Sequence, residues 1–238
     1  MTELVASNQL QKHITQTYNS LRIGIGIAAF AFPLIIWFGG LAFGVELQRS
    51  LSVYYHYPMR NAFVGVLVMI GAFLYLYKGF SKKENYALNA AGLFAMGIAF
   101  FPTSLPEEAE VSAQAYALVN QGAFTAPMLH GICAIAFFLL IAYVCIFRSN
   151  DTLTVFTHDE ASRSRFQTAY RIIGCLMVVL PLATLGILML IKPASNAVVF
   201  TVELVAVWVF GVFWLTKSKE LRRQQSENVE YEVLTSLS

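Results

Sequence analysis

Six stretches of the chain are almost continuously apolar, and polar, charged segments separate them. Residues 23–45, 61–77, 86–105 and 172–191 carry no charge, 128–147 carries only His130, and 197–216 only Glu203. Runs of this length exceed a buried strand, and about 20 apolar residues in a helix span the hydrocarbon core of a bilayer. The 61–77 run is the shortest, and Pro58 precedes it as a helix-start signal. The pattern predicts an all-α protein, a polytopic membrane bundle of six transmembrane helices.

The flanks divide the chain into three regions. Residues 1–22 form a polar arm in which Leu10, Ile14, Tyr18 and Leu21 recur at helical spacing, as in a helix lying at the interface. Residues 23–216 form the membrane domain. Residues 217–238 are charge-mixed and read as a largely disordered tail. The first apolar run starts after the arm and is too long for the core of a signal peptide.

Charge gives the orientation. Thirteen of the 16 Lys and Arg fall in the arm, the second and fourth loops and the tail, leaving Arg49, Arg60 and Lys192 on the other side. Positively charged loops stay in the cytoplasm. Both termini are therefore expected there, in the plasma membrane or a bacterial inner membrane. Glu107, Glu108 and Glu110 then lie in the third, outer loop. Composition agrees: 57% of residues are hydrophobic and 13% charged, where soluble domains carry about 25% charged residues. A net charge of +2 without basic clusters excludes a nucleic-acid partner. Cys133, Cys145 and Cys175 all lie in apolar runs, form no CxxC pair and predict no disulfide. Gly40 and Gly44 form a GxxxG pattern of the kind used in close helix packing. Pro33 and Pro181 lie inside spans, where proline kinks a helix.

The residues that can carry chemistry gather at the outer level. Glu203 lies about 9 Å into the last span at 1.5 Å per residue, and an intramembrane acid needs a partner, hydration or a proton. His130 enters the fourth span from the same side. His56 lies in the first outer loop, while His13 and His158 fall on the cytoplasmic side. Imidazole and carboxylate suit zinc, and equally proton exchange. In the loop Tyr54, Tyr55 and Tyr57 predict an aromatic lip over a pocket, with Arg60 facing an anionic head group. Ser52 lacks a nucleophile-elbow pattern.

The runs SVYYHYPMRNAFVGVLVMIGAFLYLYKGF and ENYALNAAGLFAMGIAFFPT resemble an uncharacterised family of bacterial multi-pass membrane proteins over residues 50–147. More distantly, Ser52 and His56 in their YYH context are similar to the SxxxH element of the CREST superfamily, which includes alkaline ceramidases and progestin/adiponectin-type receptors. That resemblance implies a seven-helix, metal-dependent lipid hydrolase. Here it would use Ser52 as a catalytic residue and His56, His130 and Glu203 as ligands of a zinc ion. Leu67 stands where that superfamily has an Asp, and Glu203 is in the last span where it has HxxxH. The expectation from the residues themselves is a non-enzymatic protein. It would bind a membrane lipid or small ligand in an outward-facing pocket through Tyr54, Tyr55, Arg60 and Glu203.

Overall fold

The computed structural model describes residues 2–105, 125–156, 159–190 and 197–237. Glu107, Glu108, Glu110, His158 and Lys192 lie outside them. Seven α-helices are present among the described residues: α1 (Thr2–Ala42), α2 (Arg60–Leu76), α3 (Lys82–Phe100), α4 (Ala126–Tyr143), α5 (Ser149–Phe156), α6 (Glu160–Leu190) and α7 (Ala197–Leu237). A 3₁₀ turn, Ser52–His56, precedes α2, and a π-helical turn, Val144–Arg148, joins α4 to α5.

Local chemistry sets the ends of these helices. Gly44, with φ +74°, closes α1 in a Schellman arrangement: Val45 N donates to Gly40 O at 2.9 Å and Gly44 N to Leu41 O at 3.0 Å. Gly44 is therefore a turn residue, and the GxxxG packing expected at Gly40 and Gly44 does not form. Gly40 alone packs closely, beneath the ring of Tyr54. Ser81 caps α3 by accepting from Glu84 N at 3.2 Å. Pro102 disfavours helical dihedrals at Phe101, which is extended (φ −90°, ψ 116°) and ends α3. Thr125 caps α4, and Pro127 follows in its first turn. Pro33 and Pro181 lie inside α1 and α6.

The six long helices form a closed ring in the order α1, α2, α3, α4, α6, α7 and back to α1. Ile25, Ile36, Leu74, Leu88, Phe213 and Trp214 fill its interior. Leu34, Phe38, Leu93, Leu139, Ile172 and Val179 face outward. A helix apolar on its outer face as well as its inner one belongs in lipid. Among the described residues, four helices are long and apolar enough to cross a membrane: the apolar parts of α1 and α6, α4 with its continuation, and α7. Helix α2, at 17 residues, spans only about 25 Å, and α3 begins with Lys82, Lys83 and Glu84. Cys133, Cys145 and Cys175 are free thiols.

Two regions differ from the sequence reading. The N-terminal arm is not a separate interfacial helix but the first turns of α1. The tail read as disordered continues α7 to Leu237, and its Lys217, Ser218, Glu220 and Gln224 are buried. Burial of these four residues gives the start of the tail the packing its composition does not announce.

Polar groups mark both ends of the ring. At one end Arg22 Nε donates to Tyr77 Oη at 2.9 Å, and Arg22 Nη1 to Lys217 O at 2.7 Å. There Lys217 Nζ also pairs with Glu84 Oε1 at 3.0 Å, and the Tyr170 hydroxyl donates to Glu220. The other end holds the 3₁₀ turn, with Glu203 and His130 against it. Glu203 and Lys217 are fourteen positions apart on α7, about 21 Å along the helix axis.

Candidate functional site

The 3₁₀ turn packs into the mouth of the ring on its own aromatic side chains. Val53, Tyr54 and Tyr55 are buried, with Tyr54 fully enclosed and packed against Gly40. Arg60 Nη2 donates to Tyr55 Oη at 2.7 Å, and its guanidinium lies 4.5 Å from the centre of that ring. His56 Nε2 donates to Thr103 O at 2.8 Å, tying the turn to the segment after α3. Burial holds the His56 imidazole below its ordinary pKa; the Thr103 carbonyl opposes this and the charge of Arg60 adds to it.

Ser52, the first residue of the turn, faces inward. Its Oγ lies 3.0 Å from His130 Nε2. His130, buried on the second turn of α4, places its Nδ1 2.8 Å from Phe101 O. This carbonyl is the one that Pro102 turned out of the α3 ladder. A carbonyl only accepts, so Nδ1 carries the imidazole proton. In the neutral ring Nε2 is then an acceptor, and the Ser52 hydroxyl donates to it. Across the turn, Glu203 of α7 accepts from Leu51 N at 2.6 Å.

These groups form the polar end of a cavity of about 450 Å³. Its polar lining includes Arg49, Ser50, Ser52, Thr103, His130 and Glu203, and its apolar lining Phe63, Leu67, Ile98, Phe137, Phe138 and Val207. A mostly apolar cavity with a few convergent polar groups is the usual form of a small-molecule site.

The sequence-expected residues divide accordingly. Ser52, His130 and Glu203 meet in one cavity. Tyr54 and Tyr55 form no exposed lip over it: they are core residues that hold the turn in place. Arg60 pairs with Tyr55 and does not line the cavity, where Arg49 stands instead. His56 lies one turn away on Thr103 and is likewise not part of the wall.

The zinc set of His56, His130 and Glu203 does not fit this geometry. Both nitrogens of His130 are engaged by protein groups, and Glu203 is taken up by Leu51 N. No three His, Cys, Asp or Glu side chains gather as a metal-holding group among the described residues.

Sequence reasoning missed the pairing of Ser52 with His130, 78 positions away, and the roles of Arg49 and Phe101. The Phe101-Pro102 step was the readable signal for a freed carbonyl. No family model matches the chain, and no curated protein or solved structure matches it.

Proposed function

We propose that this chain crosses the cell membrane six times with both termini in the cytoplasm, and binds a lipid in the cavity at its outer end. The topology is supported by the ring. Six helical segments run alternately between the charged end, with Arg22, Tyr77, Glu84, Tyr170 and Lys217, and the end bearing the 3₁₀ turn. The Lys and Arg asymmetry puts the charged end in the cytoplasm. A reporter active only in the cytoplasm is therefore active when fused after Ser238. An exported reporter active at the same position overturns the topology.

The cavity carries the functional reading. Its apolar lining suits an acyl chain, and its polar lining offers a cation, two serine hydroxyls, an imidazole and a carboxylate to a polar head. A monoacyl lipid has that two-part chemistry. The test uses the full chain in nanodiscs and a brominated monoacyl phospholipid, read by quenching of the tryptophan emission. Saturable quenching is expected. Gly131 lines the cavity, and a Cβ built there meets nothing within 4 Å. The first side-chain carbon of Gly131→Phe therefore meets no neighbour, and its ring takes up cavity space. The substitution should weaken binding at least about tenfold, or 1.4 kcal/mol, while leaving the melting temperature unchanged. Quenching that is non-saturable, or indifferent to Gly131→Phe, overturns the reading.

A further inference from the structure

We propose that Ser52 is a nucleophile, with His130 as its general base, and that the cavity hydrolyses carboxylic esters of acyl chains. The inference rests on the reading of the cavity as a lipid site, and its chemistry comes from the turn. Ser52 Oγ and His130 Nε2 are 3.0 Å apart at the polar end of that cavity. The Phe101 carbonyl, 2.8 Å from Nδ1, fixes the tautomer in which Nε2 is free to accept a proton. A nucleophile bonded to a base, with the base oriented by a third group, is the arrangement that activates a serine. Here the orienting group is a backbone carbonyl, which also accepts from the imidazolium that forms. Glu203, which accepts from Leu51 N at 2.6 Å, is a positioning residue: it anchors the peptide just before Ser52 from the α7 side.

The first step breaks the ester C–O bond. Ser52 Oγ attacks the carbonyl carbon, and its proton passes to His130 Nε2. The tetrahedral intermediate collapses, the alkoxide takes that proton and leaves as the alcohol, and Ser52 carries the acyl group. Water then attacks the acyl-serine carbonyl, gives one proton to His130 Nε2, and releases the carboxylic acid as that proton returns to Ser52 Oγ. Ester and water become acid and alcohol, with no change of oxidation state.

The test is an alkyl fluorophosphonate on the unmutated full-length protein in detergent. Ser52 Oγ displaces fluoride to form a phosphonyl ester, located by peptide mass mapping. The expected label is on Ser52 and is lost in Ser52→Ala. His130→Gln, which retains a hydrogen-bonding side chain, should slow labelling by about 100-fold, the lower range of a general-base contribution. Hydrolysis of p-nitrophenyl decanoate should fall in parallel in both variants. The unfolding temperature in detergent serves as the control for folding of both variants. Absence of label on Ser52 in protein that binds the lipid overturns the proposal and leaves the lipid site standing. Labelling of Ser52 that His130→Gln leaves unchanged overturns the base assignment. Labelling without saturable lipid binding supports the nucleophile and overturns the lipid reading alone.

Discussion

Replacing Lys217 with Met destabilises the folded protein by about 3–5 kcal/mol, the cost of breaking a buried ion pair from one side. Lys217 Nζ and Glu84 Oε1 are 3.0 Å apart, with side chains 2% and 1% exposed. Water reaches neither group, so among the described residues loss of the ammonium leaves the Glu84 carboxylate with the Phe80 N–H, 2.9 Å from its other oxygen. Position along the helix makes the cost heavier. Glu203 and Lys217 are about 21 Å apart on α7, less than the roughly 30 Å hydrocarbon core. In the proposed six-span topology the two polar ends therefore cannot both stand clear of the lipid. The double variant Glu84→Met with Lys217→Met removes both charges and should recover most of the loss, because apolar replacement of a whole buried pair is often neutral. The measurement is unfolding in detergent of the two single variants and the double. Single losses under about 1 kcal/mol are typical of an exposed pair and would place this one in water.

This pair also shows where the sequence is legible. Six apolar runs announce the six helices that close the ring, because lipid and a packed interior both demand apolar side chains. Lys217 and Glu84 sit just past the ends of those runs, where charge normally means a solvated loop. Both instead turn inward, and α7 continues twenty-one residues beyond the expected end of its span, to Leu237. Composition cannot distinguish a charged residue facing water from one facing a partner on another helix. The candidate site has the same limit. Glu203 and His130 stand out one at a time, as polar side chains in apolar runs. Their meeting with Ser52 depends on the order of helices in the ring, which hydrophobic periodicity does not encode. Tyr54 and Tyr55 mislead for a related reason: an aromatic-rich loop suits a membrane interface, yet this one folds back between helix ends. Gly40 and Gly44 show the spacing of a packing motif, and only the positive φ of Gly44 shows the second glycine serving as a helix stop.

The close helix contact lies elsewhere, and Gly92 tests it. A Cβ on Gly92 would sit 2.5 Å from Gly71 O and 2.9 Å from Tyr75 N, and one on Gly71 would sit 2.7 Å from Gly92 O. All three obstacles are backbone atoms, so no rotamer change relieves them. Helices α2 and α3 touch main chain to main chain, the close approach that small residues permit. Gly92→Ala must push the two helices apart, at a cost of about 1–3 kcal/mol, and Gly92→Leu costs more. Gly65 on the same α2 is the control. A Cβ there meets nothing within 4 Å, so Gly65→Ala should be neutral or stabilising by up to about 1 kcal/mol, the helix-propensity gain. Unfolding in detergent separates the two, and equal effects would refute the contact. The displacement should also reach the mouth of the ring. Helix α3 ends at Phe101, whose carbonyl orients His130, so a shift along α3 misplaces the base relative to Ser52. Gly92→Ala should therefore lower fluorophosphonate labelling of Ser52 in protein that remains folded, whereas Gly65→Ala leaves it unchanged.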